Sequence, residues 1–176
     1  MYIETERLVL RPFEAADIPA LATLLRDDRI GQTYMLPDFK NEAQAAALAD
    51  RLRELSLDSS RVVAGICLAG NLIGFLNDVE IQNGSIELGY VIDPAHWGRG
   101  YATEALKGVI AYLLASGFRE VVAGAFAENT PSIRVMVKAG MKRLDKEDEI
   151  RYRGRVHRCV YYAADSGKCT NPPADR

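Results

Sequence analysis

The chain has 176 residues, of which 48% are apolar, 26% charged and 8% aromatic. These values fit one globular domain of ordinary size and leave little room for two. With 22 Lys and Arg against 24 Asp and Glu the net charge is −2, so no global positive field exists to hold a phosphate backbone, and nucleic-acid binding is not expected. The three cysteines, Cys67, Cys159 and Cys169, show neither metal-ligand nor CxxC spacing. No disulfide scaffold or metal site is expected, and a reducing compartment suits them. Cys67 and Cys159 lie in apolar runs and read as inert core thiols.

Charge or glycine interrupts every apolar run well before the roughly 18 residues of a membrane span. The amino terminus, MYIETERLVL, brings in Glu4, Glu6 and Arg7 at once and leaves no room for a signal-peptide core. A cytoplasmic protein without membrane attachment is the expectation.

In chain order, Leu8-Val9-Leu10 reads as a strand ended by Pro12. A helix follows, with Asp17 as cap, Pro19 in its first turn, and Ile18, Leu21, Leu24 and Leu25 at helical spacing. Residues 31–40 show no period but carry Tyr34, Met35, Leu36 and Phe39, the composition of a loop that walls a pocket. Asn41 then caps a helix to about Leu57, rich in strong helix formers. From Arg61 the period becomes that of strands: Val62 to Ala69, a Gly70-Asn71 turn, Leu72 to Ile81, an Asn83-Gly84 turn, and Ser85 to Ile92. These three strands should pair antiparallel. A loop over 93–100 leads into a long helix to about Ser116, with Ala102, Ala105, Leu106, Val109, Ile110 and Leu113 as its apolar stripe. Val121 to Phe126 reads as a buried strand, parallel to the run from Ser85 through a right-handed crossover. Asn129-Thr130-Pro131 opens a shorter helix stopped by Gly140, and two last strands flank Arg153-Gly154. Residues 1–163 form the domain, and 164–176, with two prolines and no period, read as a flexible tail.

The segment Trp97-Gly98-Arg99-Gly100-Tyr101-Ala102 sits between a strand and a helix. Glycines let a backbone approach a bulky anion, and the free N–H groups of the following helical turn carry partial positive charge, so the loop suits a diphosphate; equally, it reads as a tight turn. A Walker loop would need GK[ST], and a dinucleotide fingerprint a third glycine where Thr103 stands.

Glu87-Leu88-Gly89-Tyr90-Val91-Ile92-Asp93-Pro94 followed by Trp97 to Ala105 resembles the acetyl-CoA-binding motif of the GNAT N-acetyltransferases, with Trp97 where Gln or Arg is usual. The resemblance continues at Thr5-Glu6-Arg7-Leu8-Val9-Leu10-Arg11-Pro12 with Asp17, and at Asn129-Thr130-Pro131-Ser132 leading to Lys138-Ala139-Gly140-Met141. It runs from Thr5 to about Tyr162 and is nearest the branch of ribosomal-protein N-terminal (alanine and serine) acetyltransferases.

That resemblance implies an α/β (α+β) single domain: a central mixed, mostly antiparallel sheet with a splayed parallel pair and about four flanking helices. Backbone amides of Gly98, Arg99, Gly100, Tyr101, Ala102 and Thr103 would hold the diphosphate, beside Trp97. Val91 and Ile92 would pair with the pantetheine arm, the Val91 N–H also donating to the acetyl carbonyl. Asn129 would orient cofactor or substrate and Ser132 would donate to the sulfur, replacing a tyrosine that many members carry where Met136 stands here. Both also read as helix caps. Glu87 would deprotonate the incoming ammonium through water, or is a solvated strand residue. Arg134 and Lys138 could meet the 3′-phosphate, with Lys138 read rather as part of a solvated face. Glu104 reads as a partner of the helix dipole or of Lys107. His96 reads as structural or solvated. Arg151, Arg153, Arg155 and Arg158 could steer an acidic partner, or read rather as solubilising an edge strand.

The function implied is transfer of acetyl from acetyl-CoA to a primary amine, such as a protein N-terminal α-amine, by direct attack in a ternary complex. A small-molecule amine acetyltransferase shares every cofactor feature, and a non-catalytic acyl-CoA-binding module shares the loop. An exposed hairpin edge offers a surface for a homodimer.

Overall fold

A computed structural model describes residues 1–165 and Gly167; the rest of the expected tail lies outside the described residues. One eight-stranded sheet runs through the molecule in the order β1 (Ile3–Glu4), β2 (Leu8–Arg11), β3 (Val63–Leu68), β4 (Asn71–Gln82), β5 (Ser85–Ile92), β6 (Glu120–Phe126), β8 (Arg155–Asp165), β7 (Lys142–Tyr152). All neighbours are antiparallel except β5 and β6, as the sequence pattern implies. The helices are α1 (Ile18–Leu25), α2 (Asp28–Gly31), α3 (Glu42–Leu57), α4 (Tyr101–Ala115) and α5 (Thr130–Lys138). The one-turn α2 and the two-residue β1 are too short to leave a periodic signal. Among the described residues no helix is long and apolar enough to cross a membrane.

Two apolar layers clasp the sheet. On one face α4 and α5 bury Leu106, Val109, Leu113 and Met136 against Leu8, Leu10, Ile86, Leu88 and Val121; each such side chain contributes roughly 1.5–3 kcal/mol by leaving water. On the other face α1 and α3 bury Leu21, Leu25, Ala45 and Ala49 against Phe13, Val63 and Phe75. Cys67 and Cys159 are buried, and burial raises both thiols, Cys159 to about 11, as suits inert core positions.

Several local expectations are corrected. The first hairpin turns at Ala69-Gly70, one residue earlier than Gly70-Asn71, because Leu68 pairs with Asn71. Asp17 does not cap α1 with its side chain; its buried carboxylate accepts from Arg11 Nη1 (2.7 Å) and from the Glu14 N–H (2.8 Å). Pairing persists past the expected boundary at 163, since Ala164 lies opposite Val121 and Asp165 opposite Glu120. The edge beyond β8 is β7, whose exposed face is crowded with Lys, Arg, Asp and Glu, a composition that discourages edge-to-edge pairing.

The feature that shapes the site is a bulge in β4. Asp78 lies opposite Leu88 and Glu80 opposite Glu87, leaving Val79 without a partner. An extra residue bends a strand and increases its twist. Beside this bend β5 and β6 stop pairing: their ladder covers only Ser85 to Leu88. Beyond it β5 stays with β4 as far as Ile92, and β6 stays with β8 as far as Phe126, so the sheet opens into a cleft. Asp78 is 5% exposed and fixes the bulge by accepting from Arg61 Nε and the Val62 N–H, both at 2.8 Å. Asp78→Ala strands these donors and should cost about 2–3 kcal/mol, a drop in Tm of roughly 4–10 °C by calorimetry.

Candidate active site

The opened sheet encloses about 500 Å³, walled by Leu88 to Ile92 of β5 and by Gly124 and Ala125 of β6. Trp97, Gly98 and residues 100–103 close one end, Asn129, Ser132, Arg134, Val135 and Lys138 line the α5 side, and Ile30, Thr33 and Tyr34 line another wall. The volume is typical of small-molecule sites. The loop after α2 is thus the pocket wall its apolar content suggests.

Backbone direction decides which amides of β5 face this space. Asp93 N–H donates to Ile73 O (2.8 Å) on β4. Gly84 O accepts from Arg119 N–H on the β6 side (2.8 Å), and Ile92 O accepts from Trp97 Nε1 (2.6 Å). Since peptide groups alternate along a strand, odd positions point to β4 and even positions to the cleft. The amides of Tyr90 and Ile92 therefore face the opening. This corrects the expectation for Val91, whose N–H is directed at β4, although other atoms of Val91 line the cleft. Trp97 has a structural task as well, holding the carbonyl of Ile92 where β5 has lost its neighbour.

At the glycine loop, Gly98 and Gly100 adopt φ of 75° and 82°, values that a side chain resists. Gly100 is the N-cap of α4, so the N–H groups of Tyr101, Ala102 and Thr103 precede the first in-helix partner, the bond from Glu104 N–H to Gly100 O. This is a cradle for an anion. Arg99 does not line the cleft; its carbonyl accepts from Arg7 Nη1 (3.1 Å).

The expected pairing of Glu104 with Lys107 gives way to a longer-range one. Glu104 accepts from Thr5 Oγ1 (2.6 Å), from the Arg7 N–H (2.7 Å) and from Arg7 Nε (2.7 Å), and the Arg7 guanidinium lies 4.6 Å from the Tyr101 ring centre. Burial opposes the charge on Glu104, but the hydrogen bonds from Thr5 and Arg7 outweigh it and hold the carboxyl below its usual value. The Thr5-Glu6-Arg7 run thus serves as a brace for the cofactor loop.

Asn129 and Ser132 come together as the spacing implies. Asn129 Oδ1 accepts from the Ser132 N–H (3.2 Å), which is a helix cap, while its Nδ2 makes no hydrogen bond among the described residues. Ser132 Oγ lies 2.8 Å from the Tyr90 hydroxyl, a partner the sequence pattern does not reveal. Met136 is fully buried in the core. Arg134 and Lys138 both line the cleft, so Lys138 belongs to the site and not merely to a solvated face.

Glu87 stands apart from this group. It lines a smaller depression with Glu80, Ser85, Glu120 and Lys146, at the last paired stretch of β5. Its Oε1 lies 3.6 Å from the position a Cβ would take at Gly124, a position the Tyr161 ring approaches more closely, at 2.9 Å. Burial raises its pKa above 4.5, against the pull of Lys146. His96 lines the cleft, and its Nδ1 is buried without a hydrogen-bond partner among the described residues, 3.8 Å from Asp93 Oδ2.

The wall opposite the loop is held from the last hairpin. Tyr152 Oη donates to Gly31 O (2.8 Å) and accepts from the Leu36 N–H (3.2 Å). Arg153 lies near Asp38 (3.6 Å) and against Gly31, so this arginine fastens the pocket wall and does not serve solubility alone. Tyr34 packs against β5 at Gly89, where a Cβ would come within 2.6 Å of its hydroxyl.

A splayed parallel pair, a glycine loop with free first-turn amides at one end and a polar helix start beside it together form the cleft. The chain belongs to the GNAT acetyltransferases: residues 7–142 match the family described as "Acetyltransferase (GNAT) domain". The uncharacterized N-acetyltransferase p20 of Bacillus licheniformis is 31% identical over 137 residues, 75% of this chain and 77% of the relative. A GNAT-family acetyltransferase from Bacillus anthracis superposes with a TM-score of 0.81 at 25% identity, covering 94% of this chain and 98% of that one. RimL, the ribosomal L7/L12 alpha-N-protein acetyltransferase in complex with coenzyme A, shares the fold with a TM-score of 0.82 at 18% identity, again over 94% and 98%.

Gly100→Val places a branched side chain at a φ of 82° in the cradle and should abolish CoA binding by calorimetry; unchanged affinity would refute the loop assignment. Because the folded pKa of Glu104 is depressed, its stabilisation is present above the ordinary value of 4.5 and is lost as the pH falls through the folded value. Glu104→Gln should therefore lower Tm at pH 7, flatten the acid-side decline seen in the wild type, and weaken CoA binding.

Proposed function

We propose that the protein transfers an acetyl group from acetyl-CoA to a primary amine by direct attack in a ternary complex. The observation that supports this most is the cleft between β5 and β6, which joins the glycine cradle to the Asn129 and Ser132 end of α5. Gly98, Gly100 and the first-turn amides of α4 hold the diphosphate, with Arg134 and Lys138 as nearby cations. The cleft-facing amides of Tyr90 and Ile92 donate to the pantetheine arm and to the acetyl carbonyl oxygen, where negative charge develops on attack. Asn129, through its unengaged Nδ2, orients the reactants. Glu87, acting by way of water, removes the ammonium proton. Its raised pKa brings it closer to a working base at neutral pH. Ser132 donates to the departing sulfur. Neither Cys67 nor Cys159 lines the cleft, so no thiol among the described residues offers itself as an acyl carrier.

The acceptor we favour is a protein N-terminal α-amine, on the resemblance of the Asn129-Thr130-Pro131-Ser132 and Thr5-Glu6-Arg7 motifs to the ribosomal-protein branch. Free thiol release from acetyl-CoA, measured across N-terminal peptides and small amines, tests the chemistry and ranks the acceptors. Preference for a small amine would replace the peptide reading. CoA binding without thiol release from any acceptor would point to a binding module, and absence of both would sink the proposal. With an active acceptor, Glu87→Gln should lower kcat about 100-fold. It should also remove the acid limb of the pH profile, which in the wild type falls as the pH drops below the raised pKa of Glu87. An unchanged limb would remove Glu87 from the mechanism.

A further inference from the structure

The tyrosine that would serve as acid in many relatives is replaced by Met136, and Met136 is sealed in the core. A different tyrosine reaches the same neighbourhood from the opposite wall. Tyr90 lies on the splayed half of β5, paired with Leu76 on β4 and with nothing on β6. Its ring packs on the main core, and its hydroxyl crosses to the first turn of α5, 2.8 Å from Ser132 Oγ and 3.2 Å from Ser132 O. The Ser132 N–H is already committed to Asn129 Oδ1. Both the backbone and the hydroxyl of Ser132 are therefore held, one by Asn129 and the other by Tyr90.

A serine hydroxyl has one proton to give and two lone pairs to accept with. If Ser132 donated to Tyr90, its only proton would be turned away from the cleft. If Tyr90 donates to Ser132 Oγ, the serine proton stays free for a partner inside the cleft. The geometry favours the second arrangement, since the Tyr90 hydroxyl lies nearer Ser132 Oγ (2.8 Å) than Ser132 O (3.2 Å); burial pushes the phenol up to about 12, so its proton is retained across the working pH range. A thiol of ordinary pKa, about 8.5, would not draw the proton from it. Tyr90 therefore orients a hydrogen bond without itself giving up a proton.

We propose that Tyr90 is a positioning residue that donates to Ser132 Oγ and thereby aims the Ser132 proton at the sulfur of the departing thiolate. The inference rests on the acetyl-transfer reading above. In that step the amine nitrogen forms a bond to the acetyl carbon and the carbon–sulfur bond breaks. The electron pair stays on sulfur under the Ser132 hydrogen bond, and the excess ammonium proton leaves by way of Glu87.

The test compares wild type, Tyr90→Phe, Ser132→Ala and the double variant in the thiol-release assay with an active amine. Tyr90→Phe should lower kcat about tenfold and leave KM for acetyl-CoA within about twofold, as expected when Ser132 loses the donor that aims its proton at the thiolate. The double variant should match Ser132→Ala, because Tyr90 acts through Ser132. The pH profile of Tyr90→Phe should run parallel to that of wild type. With an aryl thioester, whose thiolate leaves more readily, the defects of Tyr90→Phe and Ser132→Ala should shrink together, a response that a packing role for Tyr90 would not produce. An unchanged kcat, a loss additive to that of Ser132→Ala, disappearance of a basic limb, or a defect indifferent to the leaving group would each overturn the proposal. If Tyr90→Phe does not fold, site-specific fluorotyrosine at position 90 supplies the same leaving-group comparison with the ring shape kept. Wild type inactive toward every amine would instead sink the acetyl-transfer reading.

Discussion

The site depends on a parallel ladder that stops after four pairs. β5 and β6 share hydrogen bonds only from Ser85 to Leu88, and from there each keeps faith with its antiparallel neighbour. Peptide groups along an opened strand edge are left for water or a ligand to satisfy. Within the protein one substitute is visible: the Trp97 indole on Ile92 O. Under the proposed function the remaining even-numbered peptide groups would meet the amide-bearing arm of the cofactor. The bulge at Val79, pinned through Asp78 to Arg61 and Val62, lies beside the point where the ladder ends, so the cleft is written into the twist of the sheet.

The cofactor end is organised by oriented backbone more than by net charge. Under the proposed function, a chain of charge −2 would hold a diphosphate through local charge: first-turn amides of α4, with Arg134 and Lys138 on the facing helix. Arg7 has a different part. Its guanidinium is spent on Glu104 and Arg99 O, fixing the start of α4 against the amino-terminal strand. A carboxylate in the first turn of a helix favours the helix dipole; here the same carboxylate also ties elements about a hundred residues apart in sequence.

Most of the architecture is legible in the sequence because it follows from periodicity and turn chemistry. Helix α3 begins at its expected Asn41 cap, and the Asn83-Gly84 turn carries positive φ at both residues, as that dipeptide implies. The crossover between β5 and β6 follows from a strand, helix, strand order. What stays hidden depends on register and on distance in sequence. The direction of an amide on β5 is set by its pairing with β4, so Val91 and Tyr90 exchange roles for a reason no local motif carries. The bonds from Tyr90 to Ser132 and from Thr5 and Arg7 to Glu104 join segments that only the finished fold makes neighbours. Glu87 shows the converse: its type and strand are readable, yet the depression it shares with Glu120 and Lys146, apart from the main cleft, is assembled from strands that only the fold brings together.

The strand order has a bearing on how the molecule comes into being. From β1 to β5 the order in space follows the order in the chain, and the β3–β4 and β4–β5 pairings each close through a two-residue turn, so the centre of this half can assemble from near-neighbour contacts, with β2 joining across residues 12–62. The other half cannot, because β6 must wait for β8, which begins near residue 155, to complete its antiparallel side. During synthesis the amino-terminal meander is therefore available as a template before the second wall of the cleft exists. The ligand groove is the seam between an early-formed and a late-formed half, and occupancy of that seam should bear directly on whether the two halves stay docked.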